Sequence, residues 1–343
     1  RSPSRGLGDV YKRQERRRRT AVAGAMFATV AGAAYLVLLG QGALELSPPR
    51  VVDVLTGGGT NREIMAVWDL RMPVALATLI VGAALGMAGA WTQSMSRNML
   101  ASPDILGVTS GAAAFVVLGS ITYRPSFADE IPVFWWRALL ALVGAAAVVV
   151  VLALIGGIGT SDRIVIVGVA LTLMLHAAVS YLLLRAEILR AAEAQTWLAG
   201  STEFVRMDAI LPLLLGLAPF VALGAWCGRD LPVLAHDDDS AAMLGVSITA
   251  QRRALLIAAT GVSAVVVAAA GPIGFVALIA PHFGRLVAGT PTPSPVVAGA
   301  AGAAILGVCA VIGGFIPSTA PVGAVSAALG GVVLVVLVWS RDR

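Results

Sequence analysis

The sequence predicts an all-α fold, a polytopic membrane bundle of about ten transmembrane helices. Three observations carry this. The 343-residue chain is 58% hydrophobic and only 13% charged, about half the charged share of a soluble domain, and its mean hydropathy is +0.88. Its apolar residues gather into successive runs near 20–40, 73–91, 105–121, 132–155, 164–184, 209–227, 254–270, 272–289, 295–314 and 320–339, most of them close to the roughly 20 residues a spanning helix needs. Gly and Ala recur one turn apart inside those runs, the pattern that lets helix backbones approach closely where lipid offers no hydrophobic drive.

Residues 1–19 read as a disordered or artificially appended basic tail. They open without Met, lack an apolar core and contain the chain's only lysine, Lys12. Arg1, Arg5, Lys12 and Arg13 against Asp9 supply most of the formal net charge of +5. The remainder leaves no basic surface for a nucleic acid. Residues 20–343 read as one membrane domain, with no room for a sizeable soluble one. The first run, Thr20–Gly40, is long enough to span and lacks a convincing cleavage site, so no cleavable signal peptide is expected. The loop 41–72, with Gly57-Gly58-Gly59, is the longest outward connection. The second span carries the small-residue stretch Val81–Gly89 and the ninth carries Ala298-Gly299-Ala300-Ala301-Gly302, each read as a helix-packing face. The third run is short. In the fifth, His176 lies with Thr172 and Ser180; a lone His there more often packs and hydrogen-bonds than relays protons. Cys227 and Cys309, far apart and without ligand spacing, read as small apolar packers.

The eighth run is broken. Its apolar stretch Pro272–Ala280 would span roughly 13 Å as a helix, less than half a bilayer, before Pro281, His282 and Arg285 follow. Such a break needs protein or a water-filled path around it.

An even number of spans puts both termini on one side. The cluster Arg16–Arg19 before the first span places that side in the cytoplasm by the positive-inside rule, and Arg341 and Arg343 agree. Arginines in the other loops divide between the faces. The expected location is the inner (cytoplasmic) membrane.

Four motifs punctuate the runs. Arg71-Met72-Pro73, Gly82-Ala83-Ala84-Leu85, Gly89, Gln93, Arg97-Asn98-Met99-Leu100-Ala101-Ser102-Pro103 and Leu106-Gly107-Val108 form a dense block. Gln93, near the end of its span, could line a pathway or bond neighbouring carbonyls. Trp197-Leu198-Ala199-Gly200-Ser201 lies in the outward loop before the sixth span, where an interfacial Trp and a Gly turn are ordinary anchoring. Asp237-Asp238-Asp239-Ser240-Ala241-Ala242-Met243-Leu244-Gly245-Val246 occupies the largest loop assigned to the cytoplasm. Its acidic start suits the positive end of a short helix. The fourth is Gly271-Pro272-Ile273-Gly274-Phe275-Val276-Ala277-Leu278-Ile279-Ala280-Pro281-His282-Phe283-Gly284-Arg285.

In this order the motifs resemble the signatures of FecCD-type permeases, the membrane subunits of bacterial ABC importers for iron-siderophores, haem or cobalamin. The resemblance covers roughly residues 20–343, making these the transmembrane permease domain. It implies no covalent chemistry and no cofactor. Its expected partners are ABC ATPase subunits, a second permease subunit enclosing the pathway, and an extracytoplasmic substrate-binding protein. On it, Asp238, Ala241, Leu244 and Gly245 belong to the coupling helix that meets the ATPase, and Arg71 to the binding-protein docking face. Gln93, Asn98, His176, Pro281 and His282 become pathway or gate candidates. The implied cargo is a ferric siderophore ahead of haem and then cobalamin.

Departures accompany the match. Val74 replaces a second arginine after Pro73, Val308 and Ile312 stand where the family carries an acid and an arginine, and the closing G-A-P is Leu329-Gly330-Gly331, although Pro321-Val322-Gly323 is kept. Missing docking arginines suggest asymmetric docking, with this chain as one half of a heterodimer. The reading from another class is a secondary carrier without an ATPase, with a membrane scaffold behind it. Every Asp and Glu lies outside the apolar runs, whereas a proton- or sodium-driven carrier usually holds a carboxylate within the bilayer. Without a lysine beyond Lys12 the chain has no P-loop, so ATP would be hydrolysed by a separate subunit.

Overall fold

A computed structural model describes residues 3–122, 125–155, 162–228, 231, 243, 247–316 and 320–341. Every regular element among them is helical. Seven helices are long and apolar enough to cross a membrane, and three shorter apolar helices, Val108–Ile121, Val276–Ala288 and Val322–Val336, join them. They coincide with the ten apolar runs.

Helix α1, Pro3–Gly40, carries the first run. It begins inside the stretch expected as a basic tail, so residues 3–19 continue the first span as helix. Arg16 to Arg19 are exposed, and Arg19 Nη2 donates to Glu15 Oε1 at 2.6 Å. The connection expected as an open loop over 41–72 folds instead into α2, Pro48–Leu55, α3, Asn61–Met65, and a π-helical turn Ala66–Arg71 that runs into the next span. Local chemistry explains this. Pro48 opens α2, where its missing N–H costs nothing. Thr60 and Glu63 form a reciprocal capping box at α3. Arg50 then clamps both carboxylates, reaching Glu63 with two bonds of 2.9 Å and Asp53 with one of 2.5 Å. The Glu63 contact raises the Arg50 pKa above its ordinary value. Beneath the clamp, Val51, Val54 and Val67 seal the end of α1 at Leu39.

Helix α4, Met72–Ser96, and α10, Ile248–Ala270, are the most enclosed spans, and α12, Pro295–Phe315, comes next. The two small-residue stretches expected to be packing faces meet each other between α4 and α12. A β-carbon on Gly82 would lie 2.5 Å from the Gly302 carbonyl, and one on Gly86 would overlap that of Ala298. The backbones therefore touch, which maximises dispersion where no water is released.

Helices α5, Val108–Ile121, and α6, Val133–Ile155, pack through Gly111 and Gly144, each against the other's backbone. Helix α7, Asp162–Arg185, is the least buried span. A short helix α8, Ile188–Leu198, lies in the connection read as an outward loop. Helix α9, Met207–Cys227, carries Pro212 and Pro219 and packs on α10, with Gly261 beneath the Phe220 ring. The last elements are α11, Val276–Ala288, and α13, Val322–Arg341. Cys227 and Cys309 are both buried, as expected of packing residues.

The Trp197–Ser201 motif does more than anchor. Gly200 adopts φ +69°, Ser201 N–H donates to the Ala270 carbonyl at 2.8 Å, and Gly323 N–H donates to the Gly200 carbonyl at 2.8 Å. One turn thereby joins the end of α10 to the start of α13.

Candidate functional site at an interrupted helix

The Gly271–Arg285 motif folds as an interruption followed by a short helix. α10 stops at Ala270, and Gly271 turns with φ +72°, close to the Trp197 carbonyl. Pro272 supplies no N–H to the helical ladder, which favours the break at this point. Residues 271–275 run without helical structure until α11 begins at Val276. In lipid each polar group freed by such a break must find a partner inside the protein. Ser326 of α13 donates its hydroxyl to the Gly274 carbonyl at 3.2 Å. Phe275 takes a left-handed conformation, φ +66°, rare for a bulky residue. Its N–H donates to Asp104 Oδ2 at 3.1 Å. The other Asp104 oxygen, Oδ1, accepts from the Thr109 hydroxyl at 2.6 Å.

The break therefore falls at Gly271–Phe275, and Pro281 does not end a segment as the sequence reading expects. Pro281 is buried inside α11. It removes the N–H that would bond the Ala277 carbonyl, and that carbonyl lies against Gly89 of α4, where no side chain stands in the way. Gln93 is 6% exposed and donates from Nε2 to the Leu278 carbonyl at 2.9 Å. Of its two readings, the geometry provides the bond to a neighbouring carbonyl. His282 is partly buried, its ring edge-on to Phe283 at 6.4 Å, and its Nε2 has no hydrogen-bond partner among the described residues. The structure thus gathers Gln93, Pro281 and His282 around α11.

The other expected site residues lie elsewhere. Asn98 shapes the turn after α4, its Oδ1 accepting from Leu100 N–H at 2.9 Å. His176 is exposed on α7, with Nε2 3.4 Å from the Ser110 hydroxyl of α5. Arg71 turns inward, donating to the Leu39 carbonyl at 2.9 Å and the Leu44 carbonyl at 2.5 Å. It closes the end of α1 and the turn that follows. Asp238, Ala241, Leu244 and Gly245 lie outside the described residues. Asp104 escaped the sequence reading. It stands one residue before an apolar run and so counts as a loop acid, yet the fold turns it in against Phe275. The available signal was its place between Pro103 and Gly107, two residues that force the chain to turn.

Comparison with known proteins places this arrangement. The FecCD transport family matches residues 29–340. The ferric enterobactin transport system permease protein FepG of Escherichia coli (strain K12) is 34% identical over 312 residues, covering 89% of this chain and 92% of that protein. The protein named "Probable siderophore transport system permease protein YfhA" of Bacillus subtilis (strain 168) is 31% identical, covering 90% of this chain and 91% of its own. A solved metal-chelate-type ABC transporter in an inward-facing conformation shares the fold, with a TM-score of 0.73 at 22% identity over 93% of this chain and 99% of its own. With the family match running through nearly every helix, from within α1 to within α13, the chain belongs to the FecCD transport family.

Proposed function

We propose that this chain is the permease subunit of an ABC importer that moves ferric siderophores across the cytoplasmic membrane. The observation that carries the reading is end-to-end similarity, about nine-tenths of both chains, to permeases named for ferric enterobactin and siderophore transport. The protein contributes a path and no covalent chemistry; a separate ATPase subunit hydrolyses ATP. A second permease subunit completes the pathway, and an extracytoplasmic binding protein delivers the cargo. Both termini face the cytoplasm in this reading, which puts Asp237–Val246 against the ATPase and Arg71 on the opposite, docking face.

Asp104 bears on the competing secondary-carrier reading, since it is a carboxylate turned toward the bundle interior. Both of its oxygens already accept hydrogen bonds from the protein, which suits a structural acceptor better than an ion relay. Reconstitution with the ATPase and binding protein tests the proposal. Ferric siderophore uptake should require hydrolysable ATP. Uptake by this chain alone, driven by a proton or sodium gradient, would overturn it.

A further inference from the structure

We propose that Asp104 is a positioning residue for transport, a pin through which the connection after α4 holds the start of α11 in register with α5 and α7. The proposal rests on the importer reading above.

Three elements converge on this turn. The carboxylate accepts from the Phe275 N–H at the start of α11 and from the Thr109 hydroxyl in the first turn of α5. Three residues further, Gly107 turns with φ +79° against α7. A β-carbon there would lie 3.1 Å from Thr172 Oγ1 and 3.2 Å from the Gly168 carbonyl. The fit is mutual, because a β-carbon on Gly168 would lie 2.7 Å from the Ile105 carbonyl. Ser110 then meets His176 across the same pair of helices. Within seven residues the chain grips α11 on one side and α7 on the other.

The choice of a carboxylate is informative. A neutral acceptor could satisfy one N–H. A carboxyl group can take one donor on each oxygen, so a single side chain ties α11 to α5, and losing a donor leaves a buried oxygen unsatisfied. The Phe275 end is itself under tension. Its left-handed backbone persists only while its surroundings hold it. Those surroundings are Asp104 at its N–H, Gly330 of α13 packed on its side chain, and Ser326 on the preceding carbonyl. The short helix carrying Pro281 and His282 is thus aimed by contacts that come from other elements. Asp104 is the contact that reaches back to the polar turn containing Arg97 and Asn98. Movement of that turn would be passed to α11 through this joint, and through Gly107 to α7, the least buried span.

The test uses the assembled transporter, with ATPase, binding protein and ferric siderophore, in proteoliposomes. Cargo moved per ATP hydrolysed is measured alongside ATPase rate and the thermal unfolding midpoint. Asp104→Asn keeps the size of the side chain but presents one acceptor oxygen instead of two. It should lower cargo per ATP by about tenfold, a typical coupling magnitude, with the ATPase rate close to wild type and only the small drop in unfolding midpoint that one lost buried hydrogen bond gives. Thr109→Val removes one donor and leaves the carboxylate, so it should give a smaller loss of the same kind. It also serves where Asp104→Asn fails to assemble. An unchanged ratio in both variants overturns the proposal. So does a parallel fall of transport, ATPase rate and midpoint, which marks a purely structural bond. Absence of ATP-dependent uptake by the wild-type assembly would instead overturn the importer reading.

Discussion

Gly89 of α4 lies directly against the carbonyl oxygen of Ala277, the carbonyl that Pro281 deprives of its helical donor. The two irregularities answer each other. A proline in a buried helix leaves an oxygen unpaired, and a glycine on the neighbouring helix admits that oxygen to backbone contact. Weak Cα–H···O interactions of this kind recur where helices meet closely.

Gly89→Ala should therefore destabilise the bundle. A methyl group has no space there, so α4 and α11 must separate, and overpacking of this sort costs about 1–3 kcal/mol. Gly32→Ala on α1, where a β-carbon meets nothing within 4 Å, should be neutral or slightly stabilising. Thermal unfolding of the purified protein in detergent compares the two. Equal midpoints would show that the α4–α11 contact carries no weight.

Gln93→Leu separates a structural glutamine from one that lines the pathway. Removing its bond to the Leu278 carbonyl should cost roughly 0.6 kcal/mol, the average for hydrogen bonds between membrane helices. The cargo concentration for half-maximal uptake should not change. A several-fold change in that concentration, at unaltered stability, would put Gln93 in the pathway instead.

The helices and their packing were legible because lipid imposes simple rules. A span needs about 20 apolar residues, and close backbone contact needs small ones, so the ten runs and the small-residue packing faces could be read directly, while which face meets which, Gly82 against Gly302 and Gly86 against Ala298, came only with the fold. The interruption was misplaced by a few residues because Pro281 is the louder signal. Proline is tolerated within a membrane helix when the freed carbonyl finds a neighbour, and Gly89 lies too far along the chain to be paired with it by inspection. Nothing in a phenylalanine announces φ +66°, so the turn at Phe275 was invisible. Asp104 was misjudged for the same reason, since its partner Phe275 lies 171 positions away. Helices α2 and α8 were hidden because both are short and lie in connections that read as polar loops.

The segment Asp237–Val246 carries the proposed ATPase contact. Leu244→Asp combined with Gly245→Pro puts a charge in place of an apolar residue and a proline in place of a glycine within the segment, while leaving the sequence of every span unchanged. Less ATPase should co-purify with the permease, and uptake should stop. A variant that retains its ATPase and transports normally would remove this segment from the coupling role.

Arg71 offers two separable contributions, and its geometry permits a test of each. Its guanidinium reaches the Leu39 and Leu44 carbonyls at once, a fork that lysine cannot reproduce. Its positive charge is the feature a binding protein would read. Arg71→Lys keeps the charge and loses part of the fork, so it should lower the unfolding midpoint while leaving binding-protein affinity near wild type. Arg71→Glu loses both and adds repulsion. Its affinity should fall several-fold at low salt and partly recover at high salt, where a Debye length of about 3 Å at 1 M screens the charge. An exposed ion pair is worth only about 0–1 kcal/mol, more when docking desolvates it, so the difference between the two variants is the quantity to measure. Equal affinity for Arg71→Lys and Arg71→Glu at both salt concentrations would leave Arg71 as a brace for the end of α1 and remove it from the docking face.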